Sequence, residues 1–352
     1  MPTASRAQPR IAVVGVTGRS REIGGAERFY AGLQAALTGI GLHAELALAQ
    51  SDESSFEAIE ASYLRFYDLD LSKFDGVIST KAPSFAIRHA NHVCYLMHTM
   101  RSFYDMFERE FPTASPERRL QRRFIHLLDA GFMGRPRIRK LFAIGEEVAA
   151  RLEAFNGLKA EVMRHPTTLS GFADGPFDYL FMPGRLHRWK RVELAIAAMR
   201  HVGGRLRLLI SGEGEDAATF KALAADDERI LFLGRVDDKA LVKLYSGALA
   251  VLFLPRGEDL GLVTFEAFNS NKPVITCIDS GEPSRLVEHG RSGFVCPPEA
   301  AAIADCIRRL AADRSTARAM GRTGGQAIAG VTWESVARRL GASLGFCADM
   351  LA

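Results

Sequence analysis

Short apolar runs alternate with stretches of helical spacing along the whole chain of 352 residues. Ile11 to Val16 is a run of strand length. A loop with Gly18, Gly24 and Gly25 follows, and then Phe29, Leu33, Ala36 and Leu37 recur at helical spacing. That succession of strand, glycine loop and helix opens a βαβ unit. The pattern predicts further strands at 43–49, 75–79, 92–98, 140–144 and 161–165, with a helix over 146–155. Pro166, Gly171, Gly175 and Pro176 mark 167–176 as a linker. Beyond it the rhythm resumes. Strands are predicted at 179–182, 205–211, 229–234, 248–254, 273–277 and 293–296, and helices over 192–200, 217–225, 239–245 and 299–312. Strands that alternate with helices make a parallel sheet covered on both faces. Two such halves predict an α/β protein of two Rossmann-like domains facing a central cleft. They divide as 1–172 and 173–330, with a helical segment at 331–352. In open sheets of this kind, ligands bind beyond the C-terminal ends of the strands. The glycine-rich and charged turns lie at those ends.

Composition narrows the class. Apolar residues are 47% of the chain, enough for full cores. Cys94, Cys277, Cys296, Cys306 and Cys347 have neither disulfide nor metal spacing, so reduced thiols and a cytoplasmic protein are expected. The polar N-terminus is no signal peptide, and no run approaches the roughly 18 apolar residues of a spanning helix. Net charge is only +4, but it is uneven: from Arg118 to Lys140 there are eight Arg and Lys residues and one acid, Asp129. This stretch is either a solvated helix face or a surface for anionic headgroups or a phosphate-bearing acceptor, with peripheral contact at the inner membrane face. No nucleic-acid motif accompanies it, and nucleic acid is not an expected partner.

The densest chemistry lies from Pro255 to Phe268. The apolar run 248–254 precedes a turn containing Gly257, Glu258 and Asp259. Leu262, Phe265, Ala267 and Phe268 then read as a helix. N–H groups at Asp259, Leu260 and Gly261 make such a helix start an anion site. Glu258 and Glu266 flank it, which suits a phosphate with hydroxyls on both sides: a sugar nucleotide. Taken alone, each glutamate is equally a helix-dipole partner or an exposed side chain. Gly184, Arg185 and Lys190 follow the strand at 179–182, and a planar fork plus a point charge suits a diphosphate. The bland reading is a solvated basic loop. Gly24-Gly25-Ala26-Glu27 lacks the dinucleotide spacing, yet paired glycines let a backbone approach a phosphate; otherwise they form a simple turn. His98, followed by Arg101, Tyr104 and Asp105, stands at a strand end, where a histidine binds a sugar hydroxyl, handles a proton, or is structural.

These elements, in this order, resemble the retaining glycosyltransferases of the GT-B fold, family 4 (glycosyl transferases group 1). The likeness is carried by Gly184-Arg185 with Lys190-Arg191, by Ile210 to Gly214, by Phe232 to Val236, by Glu258 to Glu266, and by Leu286 to Pro298. In the first half it is looser. His98-Thr99 with Arg101 is similar to an element of bacterial mannosyltransferases of surface polysaccharide synthesis. The resemblance implies that Arg185 and Lys190 neutralise the diphosphate leaving group. Glu258 and the N–H groups of Asp259, Leu260 and Gly261 would hold the sugar hydroxyls and the phosphate. Glu266 would accept from the ribose, Leu233 would meet the base through main chain, and Gly24, Gly25 and Gly184 would lie along the donor. His98 would sit beside the transferred sugar, with Arg101 and Tyr104 toward the acceptor. The helix from Trp333 would pack back on the N-terminal domain. Ser280-Gly281 and Arg285 depart from the family's usual Gly-Gly pair and later Glu.

The expected reaction is transfer of a hexose from a nucleotide-diphosphate sugar to a lipid-linked or growing saccharide acceptor, with no metal and no cofactor. GDP-mannose is the first donor and UDP-sugars come next. A small soluble acceptor, and an inactive sugar-nucleotide-binding regulatory subunit, are the alternatives.

Overall fold

The computed structural model describes residues 8–17 and 25–346. The chain divides into two units at His165/Pro166 and again at Gly330/Val331. In the first, β1 (Arg10–Thr17), β2 (His43–Gln50), β3 (Gly76–Ser79), β4 (His92–Leu96), β5 (Lys140–Ala143) and β6 (Glu161–Val162) form one sheet in the order β2-β1-β3-β4-β5-β6. In the second, β7 (Tyr179–Pro183), β8 (Leu208–Ser211), β9 (Ile230–Gly234), β10 (Ala248–Leu252), β11 (Val274–Cys277) and β12 (Gly293–Cys296) run β12-β11-β10-β7-β8-β9. Every pairing is parallel. The central strands β3, β4, β8, β10 and β11 are buried along their whole length. This is why they read in the sequence as unbroken apolar runs rather than alternating ones.

Each of the twelve apolar runs contains a strand, though several strands are shorter than the run. β4 stops at Leu96 because the next amide turns to another partner: Met97 N–H donates to the Thr80 carbonyl at 2.7 Å. The unit boundary lies at His165 rather than 172. Thr167 Oγ1 donates to Glu266 at 2.9 Å, and Lys272 Nζ reaches Asp174 at 3.0 Å, so the proline- and glycine-rich segment packs within the second unit. The helix Trp333–Ser343, capped by Thr332, groups with the first unit. Its Trp333 ring stacks on His165 at 5.0 Å and lies 5.8 Å from Phe29.

In the first unit, two helices and a short turn meet on one buried carboxylate. The helix Pro116–Met133 starts at Ser115, whose hydroxyl accepts from Arg118 N–H, with Pro116 in the first turn. This is the usual chemistry of a helix start. Its inner face carries Asp129. Asp129 accepts from Tyr63 of the helix Phe56–Tyr67 and, at 2.5 Å, from Tyr104. Burial pushes the Asp129 carboxyl up to about 7, and the two hydroxyls offset part of that rise. Since the folded-state value lies above the ordinary 3.8, the native state binds the proton more tightly than the unfolded chain. The stabilisation from this group is therefore complete at low pH and is lost as pH rises through about 7. In thermal unfolding between pH 8 and pH 6, the melting temperature of the wild type should rise relative to that of Asp129→Asn as pH falls. A pH-independent difference between the two proteins would mean that Asp129 does not titrate in this range.

Candidate active site

Strand order sets the place of the site. In the second unit the order reverses between β10 and β7, the first two of its strands to run away from each other in sequence. Chains leaving such neighbours diverge and open a crevice beyond their C-terminal ends. Two loops start there: 184–191 after β7, and 253–261 after β10.

The first loop is held tightly. Gly184 N–H donates to Ser211 O at 3.0 Å, and Leu186 N–H to Glu213 O at 2.8 Å. A Cβ at Gly212 would lie 1.9 Å from Gly184 O, so only glycine allows this approach of the two loops. The short turn Arg188–Lys190 then delivers Lys190, whose Nζ donates to Glu258 Oε2 at 2.5 Å. Both side chains are about one-quarter exposed, at 28% and 26%. The expected diphosphate cation and the expected sugar-binding carboxylate thus form a charge-assisted pair. Arg185 is far more exposed and reaches Glu215 at 3.2 Å, a surface contact of little worth.

Glu258 is fixed through its backbone. Its N–H donates to Ser280 O, and its carbonyl accepts from Glu282 N–H, both at 2.9 Å. This isolated bridge pairs Glu258 with Gly281. Gly281 has φ 73°, and a Cβ there would stand 2.4 Å from Glu258 O. Asp259, Leu260 and Gly261 then lead into the helix Leu262–Asn269, with Gly261 as its cap. The first-turn N–H groups of a helix have no intrahelical acceptor and carry its positive dipole end. Glu266 lies on the inner side of this helix and is buried. One oxygen accepts from Thr167 and the other from Tyr245 at 2.6 Å. Burial first, and then the Glu266 charge, hold the Tyr245 hydroxyl well above its ordinary value. Leu233 is half-exposed on β9, and the carbonyl of the next residue, Gly234, accepts from Gly212 N–H at 2.8 Å.

In the first unit, Gly25 opens the helix Gly25–Gly39, while Gly24 lies outside the described residues. His98 stands two residues beyond β4, with Nδ1 2.8 Å from Thr99 O. Arg101 grips Asp105, which Arg151 also contacts at 2.8 Å. The structure corrects Tyr104. It is buried, and its hydroxyl binds Asp129, so it is a core residue with no surface to offer an acceptor.

Arg191 is a residue whose role no motif announced. It closes the basic run and is buried, with φ 54°. Its Nε donates to Leu254 O at 2.6 Å, and Nη2 donates to Pro255 O at 2.6 Å. Its fork also binds both Asp279 oxygens, at 2.8 and 2.9 Å. In the sequence it is one more cation. It belongs to the Lys190-Arg191 pair that carries part of the resemblance, but neither that pair nor the apolar helix Val192–Met199 that starts after it gives it a role.

Residues 171–326 match the family described as "Glycosyl transferases group 1". That match takes in most of the second unit. Human alpha-1,3/1,6-mannosyltransferase ALG2 is 28% identical over 160 residues, covering 40% of this chain and 38% of that protein. The D-inositol 3-phosphate glycosyltransferase of Nocardia farcinica is 33% identical over 171 residues, covering 45% and 38% respectively. The chain therefore spans under two-fifths of the length of these curated relatives. The structure of a sucrose-phosphate synthase from Thermosynechococcus elongatus aligns over 95% of this chain and 98% of its own, with TM-score 0.75 and 18% identity. At that identity the likeness concerns the fold, which is GT-B with two Rossmann-like domains.

Losing the Arg191 guanidinium would leave two carbonyls and a carboxylate without their donors, a cost on the order of 3 kcal/mol. In denaturant unfolding, Arg191→Met should lower the stability of the second unit by about that amount. Arg191→Lys should recover only a minority of it, since a single ammonium cannot reproduce the fork. Wild-type unfolding in Arg191→Met would contradict this role.

Proposed function

We propose that the protein transfers a hexose from a nucleoside-diphosphate sugar to a saccharide or lipid-linked acceptor, with retention at the anomeric carbon. The observation that carries the reading is the Lys190–Glu258 pair at the strand-order reversal, beside the start of the helix Leu262–Asn269. When a donor enters, Lys190 exchanges Glu258 for the diphosphate, and Glu258 is released to the sugar hydroxyls. The bond from the anomeric carbon to the phosphate oxygen breaks, and its electron pair stays on the diphosphate. The acceptor hydroxyl bonds to that carbon on the same face and passes its proton to the leaving diphosphate. Positive charge grows on the sugar ring and negative charge on the phosphate. Lys190, Arg185 and the N–H groups of the helix start oppose the latter in the transition state. No metal ion is required in this scheme. Glu266, which also binds Thr167 and Tyr245, is assigned to the ribose hydroxyls. His98 and Arg101 are assigned to the acceptor side.

Mannose from GDP-mannose is the first donor. The human relative is named as a mannosyltransferase, and the His98–Arg101 string resembles bacterial mannosyltransferases. UDP-sugars rank second. The inositol 3-phosphate relative keeps a small phosphorylated acceptor as the second reading.

Glu258→Ala should lower kcat/KM for transfer by about a hundredfold or more, the scale of removing one preorganised transition-state contact. Wild-type turnover in that variant would remove Glu258 from the mechanism. Activity should survive a chelator, and NMR of the product of an α-linked donor should show an α linkage. A β product would contradict retention.

A further inference from the structure

The helix Pro116–Met133 turns an apolar stripe to solvent. Leu120, Phe124 and Leu127 recur at i, i+4 and i+7 and are 66%, 40% and 72% exposed. Its buried residues are Ile125, Asp129 and Met133. A helix at a protein surface normally keeps polar residues on its outer side. The neighbouring helix Phe56–Tyr67 adds Leu64, 64% exposed. Leu64 and Phe124 line one shallow apolar groove together with Tyr67, Leu128 and Phe132. Among the described residues, four of the nine exposed large hydrophobics fall on these two helices. Scattered single leucines need no explanation, but a contiguous group marks an interaction surface.

Charge identifies the occupant. Arg119 and Arg123 stand on the same outer side, each next in sequence to an apolar stripe residue. Arg137 lies over the Phe132 ring at 5.1 Å, and Arg88 lies over Tyr67 at 4.8 Å, both against residues that line the groove. The acids nearby are Glu60 in the groove lining, Glu57 one turn earlier on the same helix, Glu53, whose charge acts on Tyr63, Glu117, Asp68, which lies 3.9 Å from Arg88, and Glu108, which lies 3.5 Å from Arg119. Arg118 and Arg122 do not contribute outward. They lie over Phe111 and Phe107, and Arg122 also donates to the carbonyls of Phe103 and Tyr104. What remains is an apolar stripe bordered by guanidinium groups. That matches a boundary that is hydrocarbon below and phosphate above.

We propose that this face docks on an anionic lipid bilayer. Leu64, Leu120, Phe124 and Leu127 enter the acyl boundary, while Arg119, Arg123, Arg88 and Arg137 meet headgroup phosphates. The inference goes beyond the proposed reaction, because it concerns a surface of the first unit that no step of transfer uses.

The full chain should be floated with vesicles of phosphatidylcholine alone and with vesicles containing about 30 mol% phosphatidylglycerol. Binding is expected only with the anionic lipid and should weaken as salt rises. Leu120→Ser combined with Leu127→Ser should weaken binding about tenfold or more while leaving the salt dependence in place. Arg119→Glu combined with Arg123→Glu should weaken binding and flatten that dependence. All four positions are exposed, so unchanged melting and an unchanged shift with sugar nucleotide would show that the variants fold and that the donor site is separate. Equal binding by the wild type and the leucine variant overturns the proposal, as does equal binding to both vesicle types. A concentration-dependent dimer that the leucine variant loses would also overturn it, by assigning the face to a second copy of the chain.

Discussion

One guanidinium holds the candidate site in register. Arg191 bonds the carbonyls of Leu254 and Pro255, where the chain leaves β10, and the carboxylate of Asp279, where it leaves β11. Lys190 is its neighbour in sequence, Glu258 lies three residues beyond Pro255, and Gly281 lies two beyond Asp279. The parts that meet at Glu258 therefore hang from a single buried group. Its left-handed backbone costs on the order of 1 kcal/mol. Hydrogen bonds to a charged group are each worth about 1.5–3 kcal/mol. The bonds outweigh the strain, which is why a residue other than glycine is stable at this position.

That arrangement makes the resting site electrostatically closed. Lys190 and Glu258 satisfy each other, so neither is left as an uncompensated, partly buried charge. In the proposed reaction the ligand brings its own charges in the complementary order: diphosphate for the lysine, hydroxyls for the carboxylate. Binding then exchanges one set of charge-assisted bonds for another, without a large desolvation cost at the start. Glu266 is built differently. With donors on both oxygens and a place in the core, it fixes the inner side of the helix whose start faces the site.

Much of this was legible in the sequence, for identifiable reasons. Parallel strands buried on both faces leave unbroken apolar runs, which made the central strands plain; edge strands such as β2 and β9 are partly exposed and were placed by the alternation of strand and helix, and the ends of runs marked where site loops begin. Lys190 and Glu258 were each recognisable within a loop, although their contact joins residues 68 apart in the chain. Other features were hidden. Strand order, which locates the crevice, is a property of pairing and not of any local pattern. Thr167 reads as linker until its hydroxyl is seen on Glu266. Tyr104 sits in a polar-looking string after a strand, yet the buried Asp129 claims its hydroxyl. Arg191 is identical in character to the solvated arginines around it. The charge count of 118–140 pointed to a surface, but only exposure separates the inward Arg122 from the outward Arg123.

The proposed reaction requires that the loops at the strand-order reversal recognise a diphosphate. The direct measurement is calorimetric titration of the purified chain with GDP, UDP, GMP and UMP, repeated on Lys190→Ala. One nucleoside diphosphate should bind about tenfold or more tightly than its monophosphate, a difference of about 1.4 kcal/mol, and the variant should lose that preference. Equal affinity for diphosphate and monophosphate, or a preference untouched by the loss of Lys190, would contradict the account.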